Sequence, residues 1–357
     1  MNEEENNAKA RTLYAENGNS VKTTARRLRY NFNLTEAEVA QALYSRDGLD
    51  RTAAEVAQAL KYGLKLDALE VAQMLYSRGG LKLYALEVAQ ALFAWNGLHL
   101  DAWKVAQMLK DGLGISNAEI AKWLKVSAYN LRLTFGDAAN VLQNSLNLSV
   151  NDVVETLLQV GMEPHYIAKA LYSKDGFNLT FEEVAKALRD AGISHYDIGR
   201  ALHYSLHLSH LGVVRVLKDA IGLDDVVKVA AVLRGLYFRS DTPAAAKTLR
   251  DGLELSASEI ARGLYSKEGF NQTAKGVAEA LCDGLELSAE EVAKVLKDGL
   301  ELSAARVAKV LKDGLELTDA EVAKVLKDAG IKPSSHKTAT EIKAAKEQKN
   351  ASKKGIK

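Results

Sequence analysis

Apolar and polar residues follow a helical period along most of the chain, and the pattern repeats. In the stretch that begins at Asp283, Ala289, Val292, Ala293 and Leu296 occupy positions i, i+3, i+4 and i+7. This spacing places them on one face of a helix, with polar residues on the opposite face. The pattern therefore predicts a helix of about ten residues that buries one face.

Signals for the start and the end of this helix flank its apolar positions. Ser288 is followed three residues later by Glu291, which is the arrangement of a capping box. Gly299 follows the helix, and the sequence predicts a left-handed glycine there, with Leu300 folding back onto Val295. Because isolated helices of this length are marginal in water, we expect neighbouring copies to stabilise one another.

The unit V-A-x-x-L, with small and β-branched variants, recurs at twenty positions from Thr24 to Val322, at spacings of 14 to 18 residues. Residues 283–327 hold near-identical copies, and residues 127–245 hold the least regular ones. Short units that bury their apolar faces only by stacking form solenoids. The sequence therefore predicts an all-α protein, an α-solenoid of about twenty short helices in 15–17-residue repeats, joined as antiparallel pairs by short turns.

Composition changes at both ends of the repeats. We predict an N-terminal helix or cap over residues 1–19, the repeat solenoid over 20–331, and a basic, flexible tail over 332–357, which holds eight lysines and two glutamates. The chain has no apolar run long enough to span a membrane and no signal-peptide pattern, so we expect a cytoplasmic protein without a membrane contact. Its one cysteine, Cys282, is expected to be a small side chain near a helix end.

One column of the repeat is polar beyond what folding requires. It lies two places after the first residue of each unit, and five consecutive glutamines give way there to mostly basic residues. Such a stripe can follow a phosphate backbone or bind a protein. Alternatively, it is a solvated helix face that pairs with the acidic column three residues earlier. The predicted binding stripe consists of Gln41, Gln58, Gln73, Gln90, Gln107, Lys122, Lys169, Lys186, Arg200, Arg215, Lys247, Arg262, Lys294, Lys309 and Lys324.

Four turns carry a second motif, LYSRDGL, LYSRGGL, LYSKDGF or LYSKEGF, and LFAWNGL at residue 92 is a looser relative. An aromatic residue next to a cation can stack on a base or anchor a protein interface. The alternative is a tyrosine that seals the joint between two helices. The candidate turn aromatics are Tyr44, Tyr76, Tyr172 and Tyr265, and Trp95, Trp103 and Trp123 allow the same two interpretations.

Two short segments, "LYAENGNSVKTTARRLRYNF" at 13–32 and "AEIAKWLKVSAYNL" at 118–131, resemble the first half of a bacterial helix-turn-helix of the transposase or Fis-like kind. In such domains a small residue followed by "VS" leads into a recognition helix that reads the major groove. The resemblance implies nucleic-acid binding by these segments.

Motifs of catalysis and cofactor binding are missing from the sequence. There is no nucleotide-binding glycine loop with its lysine, no nucleophile elbow and no HExxH run. By register His203, His207 and His210 do not share one helix face, so we predict no metal site. We therefore expect a non-enzymatic scaffold, without a cofactor, that binds an extended macromolecular partner, a protein first. Nucleic-acid binding through the stripe is the alternative, and a structural spacer is a weaker third interpretation.

Overall fold

The structure is a computed structural model and describes residues 2–130, 132–237 and 241–332. The chain forms two compact units, Met1–His207 and Leu208–Lys357. The described residues form 21 helices and no β-strand, so the fold is all-helical, as predicted. Within these ranges no helix is both long enough and apolar enough to cross a membrane. Apart from Lys332, the predicted basic tail lies outside the described residues.

Helices of both units are short. The first unit contains α1 (Glu3–Glu16), α2 (Val21–Asn31), α3 (Glu36–Tyr44), α4 (Ala53–Gln58), α5 (Ala68–Tyr76), α6 (Ala85–Phe93), α7 (Ala102–Gln107), α8 (Asn117–Tyr129), α9 (Phe135–Asn140), α10 (Val150–Gln159), α11 (Pro164–Tyr172), α12 (Phe181–Asp190) and α13 (His195–Arg200). The second unit contains α14 (His210–Ile221), α15 (Val226–Leu236), α16 (Thr242–Leu253), α17 (Ala257–Tyr265), α18 (Ala274–Glu279), α19 (Ala289–Lys294), α20 (Ala304–Gly314) and α21 (Asp319–Asp328).

Several helices continue directly into a π-helical turn. These turns follow α4, α7, α9, α13, α18 and α19, at Ala59–Gly63, Met108–Gly112, Val141–Ser145, Ala201–Ser205, Ala280–Gly284 and Val295–Gly299.

Within each unit, a helix or the π-helical turn that ends it packs against the next helix and against the helix two places on. In the first unit α3 contacts α5, and α4 contacts both α5 and α6. In the second unit α14 contacts α16, and α15 contacts α17. Within each unit the odd-numbered and the even-numbered helices therefore form two rows, and the apolar faces are buried between neighbours.

The predicted helix start and buried face are confirmed. The Ser288 main-chain N–H donates to Glu291 Oε2 at 2.9 Å, and the Glu291 N–H donates to Ser288 Oγ at 3.3 Å. Val292, Ala293 and Leu296 are fully buried. The local sequence thus determines both where this helix begins and which face it buries.

The predicted left-handed glycine at the end of this helix is wrong. Gly299 is the last residue of the π-helical turn after α19, and the positive φ, 54°, belongs to Glu301. The Leu300 N–H donates to the main-chain oxygen of Val295 at 3.2 Å. A Cβ atom on Gly299 would lie 3.0 Å from the Cβ of Ser258 on α17. Glycine suits this position because two helices approach closely, and the backbone conformation does not demand it.

The four turns LYSRDGL, LYSRGGL, LYSKDGF and LYSKEGF and their looser relative LFAWNGL share one geometry. In the first, the Gly48 N–H donates to the Ser45 oxygen at 3.0 Å, and Asp50 has a φ of 51°. A Cβ atom on Gly48 would overlap the carbonyl oxygen of Ala42. The same overlap with the preceding helix would arise at Gly80, Gly97, Gly176 and Gly269. The prediction that LFAWNGL forms a turn related to the other four is thereby confirmed.

Candidate binding groove in the first unit

The predicted stripe divides between the two rows of helices. Gln41 and Gln73 lie on α3 and α5, whereas Gln58 and Gln90 lie on α4 and α6. Successive members of the sequence column therefore alternate between rows. Gln58 is half-buried, and the exposed members are Gln41, Gln73, Gln90, Gln107, Lys122, Lys169, Lys186, Arg200, Arg215, Lys247, Arg262, Lys294, Lys309 and Lys324.

Two residues of this column have a structural role that the sequence did not indicate. Gln58 Nε2 donates to the main-chain oxygen of Gly97 at 2.9 Å, in the turn after α6. Asn140 Nδ2, in the same column on α9, donates to the main-chain oxygen of Asp175 at 3.1 Å, in the turn after α11. Each side chain thus anchors the turn that follows the next helix of its own row.

The four turn tyrosines have different surroundings. Tyr172 is 40% exposed, and its ring stacks on Phe181 with a centroid distance of 4.8 Å. The Tyr265 hydroxyl accepts a hydrogen bond from Arg306 Nη2 at 3.0 Å. Tyr76 is exposed, while Tyr44 is half-buried and lines a pocket of about 390 Å³.

Exposed aromatic side chains are concentrated in the first unit. The described residues of the second unit contain no exposed aromatic side chain. Those of the first unit are Tyr30, Tyr62, Tyr76, Tyr84, Trp95, Trp103, Tyr129, Tyr172, Tyr196 and Tyr204. Because tryptophan and tyrosine are enriched at protein interfaces, this unit is the candidate for a binding surface.

A pocket of about 720 Å³ opens beside the turn between α6 and α7. Trp95, which is 83% exposed, and Trp103, which is 48% exposed, both line it. The His99 ring meets the Trp95 ring edge-on, with a centroid distance of 4.9 Å. Arg132 and Asp137, from the turn after α8 and from α9, complete the opposite part of the lining. The pocket thus combines two large apolar surfaces with a few charged groups.

A second pocket of about 390 Å³ adjoins the first and shares Phe93, Ala94 and Arg132 with it. Tyr44 and Gln90, both predicted site residues, belong to its lining. We call the two adjoining pockets together the aromatic groove.

The aromatic groove rests on the core of the first unit through Phe93. This ring meets the ring of Trp123 edge-on at 5.6 Å, and Trp123 is only 1% exposed. Trp123 therefore serves packing, and the other two tryptophans, Trp95 and Trp103, face the pocket. Trp123 thus has the packing role, and a binding role stays a prediction for Trp95 and Trp103.

Two carboxylates of the groove are engaged at helix N-termini. Glu87 Oε2 accepts the main-chain N–H of Tyr84 at 2.9 Å, and Asp137 Oδ2 accepts that of Thr134 at 2.8 Å. Both therefore complement the positive end of a helix dipole. The fold therefore engages both carboxylates and offsets part of their negative charge.

The third carboxylate of the groove, that of Asp101, faces a lysine. The guanidinium of Arg132 has no such partner among the described residues. Asp101 Oδ2 lies 3.1 Å from Lys104 Nζ. Arg132 is exposed, and no described residue forms a hydrogen bond or an ion pair with its side chain. Sequence reasoning missed Arg132, although it lies in the irregular stretch after residue 127. That departure from the repeat was the one available signal.

The second helix-turn-helix resemblance is wrong. Val126 and Ser127 lie inside α8, which continues to Tyr129, so no turn separates a recognition helix there. In the first segment, α1 and α2 do meet at a turn over residues 17–20.

The remaining reactive side chains do not assemble into a site. Burial, together with Asp283, raises the pKa of the half-buried Cys282 thiol, which makes its thiolate less accessible. Among the described residues no group of three or more His, Cys, Asp or Glu side chains is placed to hold a metal ion.

Comparison of the chain with protein-family models, with curated proteins and with solved structures finds no match.

Proposed function

We propose that the chain is a non-catalytic α-solenoid scaffold whose first unit binds an extended segment of a protein partner in the aromatic groove. The solenoid is supported by the contacts that helices make, within each unit, with the next helix and the next but one. The function rests on one observation. Trp95 and Trp103 present exposed rings to a pocket that also contains the guanidinium of Arg132, with which no described residue forms a hydrogen bond or an ion pair. Tryptophan, tyrosine and arginine are the residues that dominate binding energy at protein interfaces.

The charge of the first unit favours a protein over a nucleic acid. Residues 1–207 contain 22 lysines and arginines and 24 aspartates and glutamates, a net charge of −2. Affinity for a phosphate backbone depends on clustered cations that displace its counterions. A slightly acidic surface with aromatic anchors is better suited to an extended polypeptide.

Nucleic-acid binding is the second candidate because exposed cations recur along the repeats. Lys122, Lys169, Lys186 and Arg200 are exposed in the first unit. A nucleic acid held by these residues would bind less tightly as salt is raised. A protein segment held by aromatic contacts would depend on salt far less.

The test is to pan a phage library of random 16-residue peptides on the full chain and on a W95A/W103A variant. We expect the unmodified protein to enrich a set of peptides that the double variant loses. Y84A is the matched control, since Tyr84 is 81% exposed and lies outside both pockets. It should keep the same peptides, and far-UV circular dichroism should show the same helix content in all three proteins.

Fluorescence anisotropy with single- and double-stranded DNA and RNA oligonucleotides at two salt concentrations tests the alternative. Oligonucleotide binding that weakens with salt and survives W95A/W103A, without peptide enrichment, would replace the proposal by the nucleic-acid function. If neither peptides nor oligonucleotides bind, the chain is a spacer.

A further inference from the structure

We infer that the aromatic groove selects acidic peptide segments, in which a carboxylate that binds Arg132 lies next to an apolar side chain that packs on Trp95 and Trp103. This inference rests on the proposed function and specifies its ligand class. It follows from the balance of charges in the groove and from the position of Arg132 in the lining of both pockets.

The three carboxylates of the groove outnumber its one guanidinium, but each carboxylate is already engaged by the fold. Glu87 and Asp137 each accept a main-chain N–H at a helix N-terminus, and Asp101 faces Lys104. Each carboxylate thus has a hydrogen-bond or ion-pair partner, although its negative charge is only partly offset. Arg132 has none among the described residues. The group with unused binding capacity is therefore a guanidinium, which recognises carboxylates with two parallel hydrogen bonds.

The apolar part of the ligand follows from the two tryptophans. Trp95 and Trp103 leave much of their rings in water, at 83% and 48% exposure, although both line the same pocket. Covering these rings releases water from large apolar surfaces, and rigid aromatic side chains lose little entropy on binding. Leucine, phenylalanine or proline next to the acidic residue would provide that cover.

A single carboxylate fits the groove better than a polyanion. A nucleic acid has one phosphate per nucleotide, and its neighbouring phosphates would approach Glu87, Asp101 and Asp137, which line the same groove. Like charges that are brought together in this way cost binding energy. An extended peptide can place one carboxylate at Arg132 and neutral residues elsewhere.

The experiment is to repeat the peptide panning with R132E and with its matched control R78E. Arg78 is also exposed, forms no hydrogen bond or ion pair with any described residue, and lines neither pocket. We expect the unmodified protein and R78E to enrich peptides that contain aspartate or glutamate beside an apolar residue. R132E should lose these peptides and enrich lysine- or arginine-containing ones instead.

Affinities of individual enriched peptides follow from tryptophan fluorescence, since all three tryptophans lie in or next to the groove. We expect R132E to weaken an acidic peptide roughly 10- to 100-fold, the range for a hydrogen bond to a charged group. R132K should retain part of the affinity, because lysine keeps the charge but not the paired donors.

The outcomes separate this inference from the proposed function. Enriched peptides without an acidic preference, or an acidic preference that R132E keeps, would overturn the ligand class and leave the scaffold function in place. A protein that enriches no peptide overturns both, and oligonucleotide binding that R132E abolishes would assign the groove to nucleic acid.

Discussion

Gln58 on α4 donates a hydrogen bond from Nε2 to the main-chain oxygen of Gly97, 2.9 Å away in the turn after α6. The same relationship joins Asn140 to Asp175 and, in the second unit, Arg234 to Lys267 at 3.0 Å. In each case a side chain reaches the turn that follows the next helix of its own row. The turns are thus fixed by the packing of rows, in addition to their own sequence.

Replacing Gln58 by alanine should loosen the turn that it anchors. Loss of a single hydrogen bond of this kind costs about 0.5–1.5 kcal/mol. If the turn opens locally, its amides should exchange with deuterium roughly fivefold faster for a loss of about 1 kcal/mol. Hydrogen–deuterium exchange of peptides that cover residues 93–100 measures this.

Gln73→Ala provides the matched control for that experiment. Gln73 occupies the same column of the repeat and is exposed, and no described residue forms a hydrogen bond with its side chain. Its substitution should leave exchange in the corresponding turn unchanged. Equal exchange rates in Gln58→Ala and the unmodified protein would show that the hydrogen bond from Gln58 does not stabilise the turn.

The adjacent glycines of the LYSRGGL turn should differ in their response to alanine. A Cβ atom on Gly80 would overlap the carbonyl oxygen of Met74, whereas nothing lies within 4 Å of a Cβ on Gly79. Gly80→Ala should destabilise the protein by about 1–3 kcal/mol or more, as overpacking does. Gly79→Ala should change stability by less than about 0.5 kcal/mol. Urea denaturation followed by circular dichroism compares the two, and equal midpoints would contradict this view of the turn.

Local features of the repeat were predictable from the sequence, and features that depend on distant contacts were not. The cap at Ser288 and the burial of Val292 follow from residues within one helical turn, so the sequence pattern contains them. The role of Gly299 depends on Ser258, which lies on another helix.

The candidate site was predictable only in part, for the same reason. Gln90 was identified from its column and Tyr44 from its turn motif, and both line the aromatic groove. Arg132 belongs to no column, and its position between two pockets arises from the packing of α6, α8 and α9. The repeated sequence pattern identifies residues that recur from unit to unit, and it does not identify a single residue whose surroundings occur once.

Asparagine should stabilise the three near-identical turns at the end of the chain. Glu286, Glu301 and Glu316 have φ values of 62°, 54° and 54°, and non-glycine residues other than asparagine and aspartate adopt this conformation at a cost of about 1–2 kcal/mol. At the equivalent turn after α9, Asn147 occupies this position with a φ of 55°. The triple substitution to asparagine should therefore raise the urea midpoint of unfolding.

Glu290→Asn is the control for the asparagine substitutions. Glu290 lies within α19 in a right-handed conformation, where asparagine is a poorer helix former than glutamate. This change should lower the midpoint slightly. Stabilisation by Glu290→Asn, or no gain from the triple variant, would contradict the proposed backbone strain.

Acid should destabilise the second unit through its capping boxes. A hydrogen bond from Ser256 lowers the pKa of Glu259, a main-chain N–H bond from Ser288 lowers that of Glu291, and a bond from Thr318 lowers that of Glu321. A carboxylate whose pKa is lower in the folded state binds protons more readily when the chain unfolds. The stability that it contributes is therefore present above the ordinary pKa of glutamate and is lost as the pH falls through the lowered value.

The pH dependence should be visible between about pH 5 and pH 3, a range that begins near the ordinary pKa of a glutamate carboxyl and extends below it. Changing Glu259, Glu291 and Glu321 to glutamine retains a side-chain acceptor for the capping box but removes its titration. We expect the thermal midpoint of the unmodified protein to fall more steeply over this range than that of the triple variant, and the two curves to run parallel above pH 6. Parallel curves over the whole range would show that these boxes contribute no charge-dependent stability, and the acid sensitivity would then have to come from other carboxylates.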